Sequence, residues 1–254
     1  MAQLRLFSPT GLPRDMPEGA DLGTLIVQAL AADNEALRDG DVLVLAQKIV
    51  SKAQARRVAL DSVQPGAAAQ ELAAATGKDA RLVELILRES NEVLRSRPGV
   101  IVVEHRLGFV MANAGIDQSN VPQDKAETAL LLPLDPDGTC AALREQLRQL
   151  SGADVAVLVI DSHGRAWRKG TVGVAIGAAG LPALLDLRGQ PDLYGRALRT
   201  TEVGLADEIA AAASLLMGQA DEGRPVVVLR GLPYARRDGR ASELVRERQL
   251  DLFR

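Results

Sequence analysis

Aromatic side chains are nearly missing from this 254-residue chain, at 2% of positions. A core must therefore be assembled from Leu, Val, Ile and Ala. The exposed rings on which single-stranded nucleic acids stack are too few for that role. Cysteine is reduced to Cys140, which excludes an internal disulfide and fits a reducing cytoplasm. Neither charge sign dominates: the net charge is −3, and no basic run is long enough to track a phosphate backbone. No run of about eighteen uncharged apolar residues occurs, so no membrane span is expected. Met1 to Pro9 has neither the apolar stretch nor the cleavage site of a signal peptide.

Several catalytic fingerprints are absent as well. There is no G-x-x-x-x-G-K-[ST], and the glycines between Gly170 and Gly180 do not form G-x-G-x-x-G, so any nucleotide is held without a P-loop or Rossmann motif. His105 and His163 have no partners at zinc spacing. Asp161-Ser162-His163 cannot act as a hydrolase triad, because consecutive residues cannot form that relay and no G-x-S-x-G elbow is present.

What is there reads as an ordinary globular protein, 47% hydrophobic and 25% charged, long enough for one large domain or two intimate lobes. Asp21 is placed to cap a helix from about Leu22 to Leu37, and Asp39-Gly40-Asp41 reads as a turn. Val42 to Ala46 is a continuous apolar run of the kind buried on both faces of a sheet. Helices are expected at Ala67–Ala75 and Arg81–Glu89, split by Gly77. Val100–Glu104 and Gly108–Ala112 read as a hairpin. Cys140, within a helix over Thr139–Leu150, reads as packed rather than nucleophilic. Val155–Ile160 and Pro225–Leu229 complete the buried strands, and Thr201–Met217 is an Ala-rich helix bearing Glu202, Asp207 and Glu208. The charged tail from Arg236 to Arg248 suits a surface helix or a mobile segment. Strands and helices mix without strict alternation, which predicts an α+β fold of mixed sheets with flanking helices.

Four polar segments follow strands or interrupt helices, where scaffolds present functional groups. Gln47 to Lys52 carries two lysines and a hydroxyl that could meet a polyphosphate, although alone it reads better as a solvated, Lys-bearing strand end. In Asn113 to Asn120, Asp117 and Asn120 offer a carboxylate and an amide suited to a hard divalent cation; an Asx-type turn is the alternative. Asp161 to Gly170 follows the most apolar strand. There, Asp161 and Ser162 are candidate ligands for Mg²⁺ or Mn²⁺, and Arg165, Arg168 and Lys169 are cations for an anionic substrate. Met217 to Arg224 holds Gly218, which reads as a helix C-cap, and Gly223.

These pieces occur in one order: Gly11-Leu12-Pro13, QKIVSK at Gln47–Lys52, AGIDQSN at Ala114–Asn120 and DSHGRAWRKG at Asp161–Gly170. VGVAIGAAGL at Val172–Leu181, Asp192-Leu193-Tyr194-Gly195, TEVGLADEIAAAASLLMG at Thr201–Gly218 and PVVVLRG at Pro225–Gly231 follow. Together they resemble the coenzyme F420-0:L-glutamate ligase family, including the N-terminal half of the fused actinobacterial enzymes. Asp251-Leu252-Phe253 resembles that family's junction with a second domain.

The resemblance implies one domain over 1–254 with the family's two-lobed α+β fold, working as a homodimer in the cytoplasm. It implies a ligase that moves the γ-phosphate of GTP to the carboxylate of F420-0, giving an acyl phosphate that the amine of L-glutamate attacks, and then extends a γ-linked tail. Two divalent cations, Mg²⁺ or Mn²⁺, are implied, with room for a monovalent ion such as K⁺. Carried over by motif, Asp117, Asp161, Ser162 and Gln219 would hold metal, and Asp117, Asp161 and Arg165 would serve catalysis. Thr10, Gly11, Leu12, Pro13, Gln47, Lys52 and Asn120 would contact the nucleotide, as would the loop of Met217, Gly218, Gln219, Ala220, Asp221, Glu222, Gly223 and Arg224. Gln47 stands where some relatives have Ser, Ser162 where many have Thr, and His163 where Met is frequent. A related ligase with another acceptor and a non-catalytic nucleotide-binding homologue are the alternatives.

Overall fold

The computed structural model describes residues 3–121 and 127–253. In chain order its strands and helices are β1 (Arg5–Phe7), α1 (Leu22–Ala32), β2 (Val42–Ala46), α2 (Gln47–Ala53), β3 (Arg57–Ala59), α3 (Ala67–Thr76) and α4 (Ala80–Arg88). Next come β4 (Ser90–Arg97), β5 (Val100–His105), β6 (Val110–Ala112), β7 (Thr128–Leu130), α5 (Pro136–Ser151), β8 (Ala156–Arg165) and β9 (Arg168–Ala179). The last are β10 (Leu185–Asp186), β11 (Glu202–Val203), α6 (Leu205–Met217) and β12 (Val226–Arg230).

The main sheet has the order β1-β12-β2-β8-β9, antiparallel except for the parallel pair β2 and β8. Its central strands are apolar without interruption because both faces are covered. On one face Leu43, Leu45, Val157, Val159 and Val228 pack with Ile26 and Leu30 of α1 and Cys140, Leu143 and Leu147 of α5. On the other, Val42, Val44, Leu158, Ile160 and Val227 pack with Ile209, Ala210 and Ala213 of α6. Alanines let α6 lie close: a Cβ on Gly173 of β9 would stand 2.5 Å from the Ala210 carbonyl oxygen. Burial pushes the Cys140 thiol up, in keeping with a packed side chain.

A second group of elements grows from the long β2-to-β8 crossover. Strands β4-β5-β6 form an antiparallel sheet whose Ile101 and Val103 pack on Ala69, Ala73, Val83 and Ile86 of α3 and α4. Strands β3 and β7 pair beside it over Leu60, Leu85 and Leu131. Glu89, at the end of α4, ties the groups together: it accepts from Arg56 at 2.8 Å and from Arg106 at 2.9 Å, and Arg56 also donates to the Leu132 carbonyl at 2.8 Å. Burial works against its charge, but His105 and the two guanidinium groups hold its carboxyl below the usual range.

The mixed α+β architecture agrees with the sequence reading, and several local expectations need correction. Helix α1 stops at Ala32 rather than Leu37, because Asn34 takes a left-handed φ of 56°; its predicted cap, Asp21, does accept from the Thr24 N–H at 3.0 Å. Gln47–Lys52 is not a solvated strand end but the helix α2, with Gln47, Ser51 and Lys52 buried. The polar run after Ile160 continues as strand, so β8 and β9 form a long hairpin turning at Trp167, whose φ is 63°. Helix α6 starts at Leu205, leaving Glu202 on β11. The charged tail is not a surface α-helix: two 3₁₀ turns, Ala241–Leu244 and Arg248–Leu250, dock through buried Ala241, an Arg237–Glu243 pair and Arg248 pairs to Glu92 and Glu104.

Candidate active site

Strands β2 and β8 run parallel in a register that pairs Ala46 with Ile160, so Gln47 and Asp161 emerge side by side at the same end. The carboxyl ends of parallel strands are where open sheets expose backbone and side chains to a ligand. A cavity of about 330 Å³ opens there. Its walls come from Pro13 and Arg14, the start of α2, Asn120, the β8 positions Ile160 to Ser162, and the whole segment Met217 to Pro225. Arg14, Lys48, Lys52 and Arg224 supply cations; Asp161, Asp221 and Glu222 supply carboxylates.

The polar groups are held from several directions. Gln47, 2% exposed, accepts from the Ser51 hydroxyl at 2.8 Å, while its Nε2 has no protein partner. A buried amide donor in a cavity wall costs stability unless an acceptor comes to it. Lys52 donates to the Asn120 carbonyl at 2.7 Å and pairs with Asp15 at 2.9 Å. Asn120, held at φ 55°, donates from Nδ2 to the Ala220 carbonyl at 3.1 Å, so the second polar segment grips the fourth. That fourth segment turns at Gly218, whose φ of 76° and ψ of −179° lie in a region nearly confined to glycine. Glu222 folds back over it to accept from the Ala220 N–H at 2.9 Å.

Side-chain alternation along β8 divides the expected metal ligands. Ser162 points to the α6 face and donates to the Gln219 carboxamide oxygen at 2.8 Å. Asp161 points to the opposite face, where His163 Nε2 approaches its Oδ2 at 3.2 Å. Asp117 does not line the cavity itself. Its carboxylate receives Lys48 at 2.6 Å, the Ser119 N–H at 2.7 Å and the Ser119 hydroxyl at 2.9 Å, an Asx-type turn closed by a lysine of the cavity wall. Burial opposes this charge, yet the Lys48 and Ser119 hydrogen bonds keep its carboxyl below the ordinary range.

Of the residues expected at a nucleotide, Pro13, Gln47, Lys52, Asn120 and all eight from Met217 to Arg224 line the cavity. Thr10, Gly11 and Leu12 stand back from it: Thr10 is bound to Asp33 through its N–H and hydroxyl, both at 2.6 Å, and Leu12 packs on the core. Arg165 is also outside, near the hairpin turn, with a buried Nη1 that has no protein partner. Arg14 and Ser214 line the cavity and were not singled out from the sequence. Arg14 merely follows Pro13, and Ser214 is one small residue in an Ala-rich helix, so neither carries a motif of its own.

A family model described as F420-0:Gamma-glutamyl ligase matches residues 13–231 of the chain. The chain belongs to that family. It is similar over nearly its whole length to proteins named coenzyme F420:L-glutamate ligase. The one from Methanothermobacter thermautotrophicus is 47% identical over 253 residues, covering 99% of each chain. That of Methanopyrus kandleri is 46% identical, covering 98% of this chain and 97% of its own, and that of Archaeoglobus fulgidus 42%, covering 99% and 97%. No helix among the described residues is long and apolar enough to cross a membrane.

The donor set suits hard cations. Among residues that line the cavity, Ser162 and Gln219 offer hydroxyl and carboxamide oxygens on one face of β8, and Asp161 a carboxylate on the other. Among the described residues no three His, Cys, Asp or Glu side chains come together as an all-protein cage. Mg²⁺-type sites are commonly built this way, with one or two carboxylates and the remaining positions left to water and substrate phosphate. The residues present therefore fit such an ion.

Proposed function

We propose that this protein is a coenzyme F420-0:L-glutamate ligase that uses GTP and divalent metal. The observation that carries the reading is the cavity at the β2–β8 end, lined by four cations, an unpartnered amide donor and three candidate oxygen ligands in a member of this family. Lys48 and Lys52 would meet phosphate oxygens as point charges and Arg224 through its guanidinium fork, and Gln47 Nε2 would donate one hydrogen bond to them. The segment from Gly218 to Arg224, tethered by Asn120, would cover the nucleotide and exclude water from the reacting groups.

Asp161 would hold metal on one face of β8, and Ser162 with Gln219 on the other; Asp117 would join the first set once Lys48 turns to phosphate. Bound Mg²⁺ or Mn²⁺ supplies neutralisation of phosphate charge. The γ-phosphoryl group passes to a carboxylate oxygen of F420-0 and GDP departs. The glutamate nitrogen then forms a C–N bond as the C–O bond to phosphate breaks. The ammonium loses two protons, one to the leaving phosphate and the other to solvent. Further rounds extend a γ-linked tail.

A homodimer belongs to this reading. Leu193 and Tyr194, 99% and 89% exposed, support it, as does the Trp167–Phe253 pair at 6.2 Å, since a monomer rarely presents so many large apolar groups to water.

The deciding experiment incubates the purified chain with F420-0, L-glutamate, GTP and Mn²⁺, with and without chelator, and follows products by mass spectrometry. Products heavier by whole glutamyl units that vanish on chelation are expected; K⁺ replaced by Na⁺ tests the monovalent ion in the same assay. GTP binding or hydrolysis without a glutamylated product would reject F420-0 as the acceptor.

A further inference from the structure

A second cavity, of about 230 Å³, lies over the edge strand β9, between the β5–β6 turn, the first turn of α6 and the docked tail. We propose that it is the subsite for the incoming amino acid, with Asp207 receiving the α-ammonium and Arg246 the carboxylates. The inference rests on the ligase reading above and adds to it the place of the second substrate.

Size favours a small ligand: the volume is below the roughly 300–1,000 Å³ typical of drug-sized or nucleotide pockets. The lining carries both signs of charge, Asp207 and Asp251 against Arg246 with His163 beside them, which favours a zwitterion. Asp207 lines the cavity and forms no ion pair among the described residues; one oxygen accepts from the Ala175 N–H at 2.9 Å. Burial pushes its carboxyl up, and the Ala175 N–H and His163 only partly offset this. Arg246, which the docked tail contributes to the same lining, is exposed and also without an ion pair among the described residues. Phe109, Val110 and Val174 of the same lining offer apolar surface to a methylene stem.

Position favours the nucleophile. His163 lines this cavity and touches Asp161, which lines the other, so the two are separated by two strand residues, roughly 7 Å. An amine beside His163 is within reach of a carbonyl activated beside Asp161. The cavity is on the β9 side, away from the segment 218–224 that closes on the nucleotide, so both substrates can be present together.

The test measures steady-state kinetics and saturation-transfer NMR of L-glutamate with the full chain and two variants. Asp207→Asn keeps the oxygen that accepts from Ala175, and Arg246→Met keeps the side-chain length. Loss of one charge-assisted contact should raise the KM for L-glutamate, and weaken its NMR-detected binding, about tenfold or more in each. The KM for GTP should change less than about twofold. An unchanged KM for L-glutamate in both variants, or a rise in the KM for F420-0 instead, overturns the assignment. If the wild type makes no product from F420-0, the ligase reading fails and the NMR decides the subsite alone. Binding lost in both variants then supports it; equal binding, or none in the wild type, overturns it.

Discussion

Replacing Gly218 by alanine tests whether the shape of one loop controls nucleotide affinity. Its φ of 76° and ψ of −179° are costly for any residue with a Cβ, on the order of 1–3 kcal/mol. The added methyl group would also stand 2.0 Å from the Glu222 carboxyl carbon. Glu222 is exposed and can swing away, but doing so gives up its bond to the Ala220 N–H, worth roughly 1 kcal/mol more. The native loop is thus disfavoured by roughly 2–4 kcal/mol. Because the loop lies on the surface, it should rearrange rather than unfold the protein. The Tm should then fall by only a few degrees, and affinity for a fluorescent GTP analogue should drop at least tenfold, since only the native loop brings Gln219 to Ser162 and Ala220 to Asn120. Equal affinity in wild type and variant would refute the claim that this loop closes on nucleotide. A Tm drop above about 10 °C would instead place the loss in the fold.

Asp161→Ala should abolish glutamyl transfer and leave thermal unfolding within about 2 °C, because the side chain meets His163 rather than the core; retained turnover would remove it from the metal set. Glu89→Gln should lower the Tm by several degrees, since Arg56 and Arg106 lose a charged acceptor. The folded carboxyl lies below its usual range, so its stabilisation is present above about pH 4.3 and fades as pH falls through the lowered folded value. The stability gap between wild type and Glu89→Gln, measured by urea unfolding, should accordingly narrow in acid. Gly173→Ala forces a methyl group against the Ala210 carbonyl and should cost about 1–3 kcal/mol by the same assay, sparing nucleotide affinity. Cys140 should react with an aromatic disulfide reagent only at the rate of unfolding, being fully buried.

The central strands were legible because burial on both faces leaves an uninterrupted apolar run, as at Val42–Ala46. The short strands β3, β7, β10 and β11, of two or three residues each, leave no period to read. β4 was hidden for another reason: Ser90-Asn91-Glu92-Val93-Leu94-Arg95-Ser96-Arg97 is mostly exposed, so pairing with β5 rather than burial makes it a strand. β9 was masked by its glycines, two of which sit where helix or helix-capping backbone approaches: Gly173 against α6 and Gly177 against Pro136. Glycine reads locally as a break, but here it records close packing from elsewhere in the chain.

The candidate site shows the same split between local and distant information. Motif order pointed to most of the residues that line the β2–β8 cavity, yet it could not show that Asp161 and Ser162, adjacent in sequence, lie on opposite faces of one strand. Once Asp161–Arg165 is strand, period two requires it: Asp161 and His163 share the face toward β6, while Ser162 shares that of α6 and Gln219. A loop at Asp161 would have let all the ligands gather around one ion. The strand separates these candidate ligands into two groups with the β8 backbone between them, and puts His163 where it connects Asp161 to the second cavity. If the proposed ligation holds, the hairpin geometry would favour two metal positions over one, and an amine substrate approaching from the side opposite the loop 218–224.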